Sequence, residues 1–372
     1  MADTVLPLTA VMVLPDFAAG GAQKVLLRFA SELDRQTFAP HVIVLNASGP
    51  LRPFVSSELP TTLLNYKRVR VALLTLCLKL RAMQPSVIVS TMTYVNFAIL
   101  LLKPLLHRGT RFVVREANLP SGHSRSRFGR LVYRLGYWAL YRWADIIVCP
   151  ARAIADELIA NYGVQRACTA IISNPVDEDA LRLSAAMPLR KCGVGRRFVA
   201  VGRLSYQKGY DRLLVDFAKL SPDSRLTIFG EGALRHSLER QVAALALEGR
   251  VDLPGFEPNP APWIAGADAL LLSSRWEGLP NVVLEALACG TPAIVTPESG
   301  GVAEVAAQAA NGAIKIVASG DSFVAAMRDT PVRMDLSLRP SFLPDIYRMA
   351  NAASAFTLLL SEICARPASK LA

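Results

Sequence analysis

Glu277 and Glu285 lie eight positions apart in the run SSRWEGLPNVVLEALACGTP, a spacing that puts two carboxylates across the start of a helix. Upstream, ADALLLSS (267–274) predicts an apolar buried strand; downstream, Pro280 suits a first helical turn and LPNVVLEALA has helical periodicity. Glu277 then belongs to the strand-to-helix loop, and Glu285 sits about a turn and a half inside the helix. Between them, the backbone N–H groups of Leu279, Asn281 and Val282 form an anion site at the helix N-terminus. A phosphate held there would have one carboxylate to accept hydroxyls on one side and the second to accept hydroxyls on the other. A nucleotide-sugar has that layout. At an arbitrary spacing the same residues would be a surface carboxylate and a solvated helix-face ion pair, so the surrounding motifs carry the choice.

A second set of groups suits the same ligand. After the apolar run RFVAV, the segment GRLSYQKGYDRLL places Gly202, Arg203 and Lys208 in a strand-to-helix loop. Two cations five apart can clamp a diphosphate and neutralise charge growing on it as a leaving group. FGEGALRHSLE (229–239) sets Gly230 and Gly232 around Glu231 before another helix, and VDLPGF (251–256) ends on Phe256. The first strand runs into DFAAGGAQKVLLRFA, where Gly20 and Gly21 open a helix and, lacking Cβ, admit a phosphate or sugar close to the backbone. Taken singly, a turn would explain the glycine pair and a solvated surface the cations.

Together these segments resemble the retaining GT-B glycosyltransferases, the large family-four (group 1) type with an E-x7-E motif. The glycine loop, VVREAN, NPVD, GRLSYQKG, FGEG and EGLPNVVLEALACGTPAIVT occur in that family's order, over most of the chain. The resemblance implies that Glu277 contacts the donor-sugar hydroxyls, that Glu285 contacts the ribose, and that Arg203 and Lys208 hold the pyrophosphate. It places Gly20, Gly21, Gly202, Gly230, Glu231, Gly232 and Phe256 in donor-facing loops, with Gly278, Leu279, Pro280, Asn281 and Val282 completing the donor site. It also implies two Rossmann-like doubly wound α/β domains facing a central cleft, no metal, and no cofactor beyond the nucleotide-sugar co-substrate. Relatives of this type are thought to react on the front face of the donor, the departing phosphate helping to deprotonate the acceptor.

One segment departs from the pattern. Many relatives carry a histidine in the first domain after the fourth strand, whereas the comparable stretch here is VVREANLPSGH. Glu116, as a base or acceptor-orienting group, and His123, as a proton relay near neutral pH, are the acceptor-side candidates. The alternatives are a local ion pair of Glu116 with Arg115 and a solvated loop position for His123. His41, in PHVIVL, is expected to pack against the sheet.

The elements that must position these groups alternate throughout between short apolar strands and amphipathic helices, which argues for parallel α/β units. Strands are expected near 9–14, 41–45, 87–91, 111–115 and 145–149, and again near 197–201, 225–229, 250–253, 268–272, 292–296 and 314–317. The join falls in SNPVDEDALRLSAAMPLRKCGVG (173–195), giving an acceptor-binding domain at 1–180 and a nucleotide-sugar-binding domain at 181–345. A final helix at 346–372 is expected, by resemblance, to cross back to the first domain. Asp177-Glu178-Asp179 spells the D-x-D metal motif of a different glycosyltransferase fold, but at this join these acids read as the start of a helix.

Length and charge narrow the partners. A chain of 372 residues suggests two cores, and no stretch reaches the roughly 18 uninterrupted apolar residues of a membrane span. The apolar N-terminal segment has Asp3 where a secretory signal would be basic, and reads as a first strand. Six scattered cysteines without a C-x-x-C pair suggest reduced core thiols and no zinc site. The net charge of +11 is concentrated in 1–180, with 20 Lys/Arg against 12 Asp/Glu. Arg127, Arg130 and Arg134 share one helix face with Phe128, Leu131, Val132, Leu135 and Trp138 on the others. Such a helix can lie on an anionic bilayer, or be a core helix with a solvated basic face. No nucleic-acid-binding pattern accompanies the charge.

The expectation is a hexosyltransferase that uses a nucleotide-sugar, with UDP as the default base, and acts on a polyprenyl-diphosphate-linked glycan or other cell-envelope glycan. It would be cytoplasmic and peripheral on the inner face of the membrane. A soluble acceptor, or a non-catalytic nucleotide-sugar-binding subunit, is the alternative.

Overall fold

The computed structural model describes residues 6–18, 20–123, 126–186, 195–335 and 337–367. Runs such as LTAVMVL, IIVC and ALLL expose no polar face, so they form strands buried on both sides of parallel sheets. The chain divides into two compact units, Met1–Pro175 with Ala350–Ala372, and Val176–Met349. The first crossing falls at Pro175, slightly before position 180, and the return at Ala350.

Unit 1 holds a seven-stranded parallel sheet in the order β3-β2-β1-β4-β5-β6-β7. Its strands are β1 (Leu8–Leu14), β2 (Phe38–Val44), β3 (Thr61–Leu63), β4 (Val87–Thr91), β5 (Arg111–Arg115), β6 (Ile146–Cys149) and β7 (Thr169–Ile171). The edge strands β3 and β7 have three residues each, too few to show an alternation, and were not expected from sequence. The helices are α1 (Gly21–Glu32), α2 (Val69–Met83), α3 (Thr93–Leu102), α4 (Arg127–Leu140) and α5 (Arg152–Tyr162). The period of two in β1 divides the core: Val11 and Val13 pack with Leu76 of α2, Ile99 of α3, Tyr137 of α4 and Ile154 of α5. Ala10, Met12 and Leu14 face the other way, onto Val25, Leu26 and Phe29 of α1.

Unit 2 repeats the scheme with six parallel strands in the order β10-β9-β8-β11-β12-β13. These are β8 (Arg197–Val201), β9 (Arg225–Phe229), β10 (Val251–Gly255), β11 (Ala269–Leu272), β12 (Ala293–Val295) and β13 (Ile314–Ile316). Its helices are α6 (Glu178–Ala185), α7 (Tyr210–Ala218), α8 (Arg235–Ala244), α9 (Ala261–Gly266), α10 (Asn281–Ala288), α11 (Val302–Ala306) and α12 (Asp321–Arg328). Asp177 caps α6 by accepting the Ala180 N–H at 3.0 Å, and Glu178 pairs with Arg348 at 3.2 Å, so these acids start a helix. In each sheet the strand order reverses once, between β1 and β4 and between β8 and β11. In sheets of this kind the carboxyl ends of the strands at such a reversal are the usual ligand position.

The last helix, α13 (Met349–Ala365), returns to unit 1 and covers the α1 side of its sheet through Ala352, Phe356, Leu360 and Ile363. The Phe356 ring stacks on Phe29 with centroids 4.3 Å apart. Among the described residues no helix is long and apolar enough to cross a membrane. Truncation of the fully buried Phe356 to alanine is expected to cost about 3–5 kcal/mol in urea unfolding. The same truncation at Leu358, which is 61% exposed on this helix, should change stability by less than about 0.5 kcal/mol.

Candidate functional site

In unit 2 the loops after β8 and β11 bring their side chains together at the order reversal. Lys208 ends a tight turn, Tyr206–Lys208, and its Nζ donates to Glu277 Oε1 at 2.7 Å. The Ser274 hydroxyl donates to the same oxygen at 2.7 Å. Lys208 is 16% exposed and Glu277 only 7%, so each charge needs the other, because withdrawing either from water unpaired costs several kcal/mol. Gln207 Nε2 stands 3.5 Å from Oε2, which leaves that oxygen with accepting capacity. Among the described residues the buried Tyr210 hydroxyl has no hydrogen-bond partner, and its phenol is pushed well up by burial first and by the Glu277 charge second.

The surrounding loops are held by contacts that no motif announces. Arg275 forks onto Asp211 at 2.8 and 2.6 Å and lays its guanidinium over the Tyr206 ring, 3.9 Å from the centroid, tying the Lys208 loop to the segment before Glu277. Gly230 takes φ +139°, and a Cβ there would fall 2.0 Å from the Gly202 carbonyl oxygen. At Gly300 a Cβ would lie 2.2 Å from the Glu277 carbonyl oxygen. The glycines of these loops thus serve backbone-on-backbone packing.

Other expected donor groups occupy the same edge of the sheet. Arg203 is exposed and, among the described residues, has no ion-pair partner. Glu231 is half-exposed and pairs with Arg235 at 3.4 Å, while Phe256 follows β10 and is 43% exposed. Helix α10 begins at Asn281 with Pro280 as its N-cap, so Pro280 precedes the helix instead of lying in its first turn. That first turn has no acidic residue and no side-chain cap. Glu285 is buried in the helix, and after burial its charge is the next cause that pushes the Cys289 thiol up to about 12. Leu279 and Val282 are buried, and the Gly278 carbonyl accepts the Gly301 N–H at 2.7 Å.

In unit 1 the acceptor-side candidate Glu116 lies at the end of β5. Its carboxylate is 1% exposed and accepts the Thr93 hydroxyl at 2.8 Å, the Tyr137 hydroxyl at 3.2 Å and the Tyr141 hydroxyl. Both phenols are held well above their ordinary range, by burial first and by the Glu116 charge next, so they remain donors. Glu116 therefore links α3 and α4 to the end of β5. Arg115 donates to Asn174, and burial brings its pKa down to about 10. The backbone of His123 closes the short turn Pro120–His123; its side chain lies outside the described residues. His41 bonds Thr62 Oγ1 at 2.8 Å on the sheet.

The glycine loop after β1 is organised by a residue that sequence reasoning passed over. Asp16 Oδ1 accepts the Ala18 N–H at 3.0 Å and Gln23 Nε2 at 2.9 Å, folding the loop onto the first turn of α1. Gly20 is the N-cap and Gly21 the first residue of that helix, and a Cβ on Gly20 would meet Gln23 Oε1 at 2.3 Å.

Residues 193–330 match the family model described as glycosyl transferases group 1, and residues 19–180 that described as glycosyltransferase family 4. The chain is 26% identical over 309 residues to N-acetylgalactosamine-N,N'-diacetylbacillosaminyl-diphospho-undecaprenol 4-alpha-N-acetylgalactosaminyltransferase of Campylobacter jejuni, covering 77% of this chain and 80% of that protein. It is 32% identical over 183 residues to the lipopolysaccharide core biosynthesis glycosyltransferase LpsE of Rhizobium meliloti, 47% of this chain and half of that one. Anabaena Alr3699/HepE in complex with UDP and glucose has a similar fold, with a TM-score of 0.70 and 18% identity over 96% of this chain and 97% of that one.

The Glu116 cluster carries a direct test. Tyr141→Phe keeps the ring and removes one donor from a buried carboxylate, which should cost about 1.5–3 kcal/mol in urea unfolding. A loss under about 0.5 kcal/mol would mean that the phenol does not hold Glu116.

Proposed function

The chain belongs to the group 1 glycosyltransferases of GT-B fold, and from that premise we propose that it transfers a hexose or N-acetylhexosamine, with retention, from a UDP-sugar to a lipid-linked glycan. The observation that carries this reading is the buried Lys208–Glu277 pair beside the exposed Arg203 at the order reversal of unit 2. A donor diphosphate arriving there would outweigh one carboxylate and draw the Lys208 ammonium to itself. Glu277 Oε1, released from Lys208 but still held by Ser274, would then accept a donor-sugar hydroxyl, so phosphate binding prepares the sugar site. Glu285 would accept the ribose hydroxyls, and the uncapped start of α10 would face the phosphate.

In the transfer, the bond from the anomeric carbon to the phosphate oxygen breaks as the acceptor oxygen bonds to the same face. The acceptor proton passes to the departing phosphate. Arg203 and Lys208 neutralise the charge that gathers there, the part a metal plays elsewhere. The choice of UDP is supported by the related fold that binds UDP and glucose. The choice of a lipid-linked acceptor is supported by the relatives named for diphospho-undecaprenol and lipopolysaccharide core substrates.

The outer surface of unit 1 supports a peripheral position on an anionic membrane. Helix α4 packs inward through Tyr137, with Gly136 against the Phe97 ring, and turns a second apolar face outward. Phe128 is 77% exposed and Trp138 61%, with Leu131, Val132 and Leu135 also exposed beside Arg127, Arg130 and Arg134. Guanidiniums at lipid phosphates and aromatic rings below them would hold the protein at the inner leaflet.

The donor reading is tested by nucleotide release from UDP-, GDP- and ADP-sugars with membrane-lipid extract. One donor should turn over, and Arg203→Ala and Glu285→Ala should each lower the rate about 10²-fold. Failure of every donor to turn over with the extract would overturn the lipid-directed transferase. Separately, the protein should sediment with phosphatidylglycerol vesicles at low salt, and less so once the Debye length falls below about 10 Å, near 0.1 M. Equal sedimentation of Arg127→Ala/Arg130→Ala/Trp138→Ser would remove α4 from the docking surface.

A further inference from the structure

A pocket of about 380 Å³ opens at the carboxyl end of the unit 1 sheet, where the chain leaves β1, β2 and β3 and enters α3. Its wall carries Lys67, Arg68 and Arg70 against a single carboxylate, Asp16, with Tyr66 and Tyr94 as its aromatic surfaces. Asp16 is engaged within its own loop by Ala18 and Gln23. The three cationic side chains are exposed and have no ion-pair partner among the described residues. Cations crowded within four consecutive positions repel one another, and an anion between them would remove that repulsion.

The adjoining backbone adds to the same field. Helix α2 starts at the pocket wall, and its first turn has neither a side-chain cap nor an acidic residue, so the positive end of a 15-residue helix faces the cations. The volume lies in the range of small-molecule sites, larger than a lone phosphate requires. Beyond the pocket, α2 exposes Val71, Leu74 and Leu78 at 57, 72 and 59%, a stripe at i, i+3 and i+7 along the same helix. An anionic head and a hydrocarbon tail thus have adjoining places on one element.

We propose that this pocket binds the diphosphate of an isoprenoid-diphosphate acceptor, an inference that rests on the lipid-directed transferase reading. Lys67, Arg68 and Arg70 hold the phosphoryl oxygens, Arg68 and Arg70 by guanidinium forks, while the first isoprene units lie along the outer stripe of α2. Tyr66 and Tyr94 flank the first sugar beyond the diphosphate.

The test titrates the full chain with farnesyl diphosphate, inorganic diphosphate and farnesol, beside Lys67→Ala/Arg68→Ala/Arg70→Ala and Leu74→Ser/Leu78→Ser. Farnesyl diphosphate is expected to bind the wild type and to weaken at least tenfold in the triple variant, with UDP-sugar binding and the melting temperature unchanged. Tighter binding of farnesyl diphosphate than of inorganic diphosphate, lost in the leucine variant, identifies a lipid head as the source. Equal binding of the two diphosphates in wild type overturns the lipid assignment. Unchanged farnesyl diphosphate affinity in the triple variant, or binding of farnesol as tight as of its diphosphate, overturns the phosphoryl site. Nucleotide release with lipid extract separates the two readings. If wild type turns over a donor and the triple variant keeps the same KM for the extract, the pocket proposal fails and the transferase stands. If no donor turns over, the transferase reading fails whatever the diphosphate titration shows.

Discussion

A strand covered on both faces has no place for a charged side chain except at its ends, and this constraint organises both units of the protein. The strands of each sheet are apolar nearly throughout, so chemistry-bearing residues are displaced to the loops at their carboxyl ends. Where the strand order reverses, those carboxyl ends are the usual ligand position. Lys208 and Glu277 in unit 2, and Asp16 with the Gly20 loop in unit 1, all occupy such positions.

The two units solve the problem of a buried carboxylate in different ways. Glu277 is neutralised by the Lys208 ammonium, 2.7 Å away. Among the described residues Glu116 accepts three neutral hydroxyls, from Thr93 at the start of α3, Tyr137 of α4 and Tyr141 just beyond its end. The first arrangement pairs opposite charges, Lys208 with Glu277. The second joins a carboxylate to neutral donors on neighbouring segments.

Unit 1 also presents apolar surface in an unusual place. On α2 and α4 the side chains that meet the sheet are Leu76 and Leu80, and Tyr137, while the opposite faces expose leucines, Phe128 and Trp138. A helix apolar on both sides normally sits in a protein interior or against lipid. Here one side is satisfied by the sheet, and Arg127, Arg130 and Arg134 are exposed beside the other. Helix α3 packs against both α2 and α4, so the two exposed apolar faces belong to one layer.

The alternation of apolar strands and amphipathic helices, the helix start after Glu277 and the order of the loop motifs were all legible in the chain, because each depends on neighbours within one or two turns. What was not legible depends on distance. The edge strands β3 and β7 exist only because a neighbouring strand offers hydrogen bonds. The fork of Arg275 on Asp211 joins residues 64 positions apart, and no periodicity announces it. The same holds for Glu116, whose phenol partners lie 21 and 25 residues further on, one in α4 and one just past its end. Sequence alone determined which elements form and which groups reach the ends of strands, since those follow from local propensity and burial. Only the tertiary structure decided which of those groups remain reachable, because enclosure and pairing are set by the side chains that distant segments bring to them.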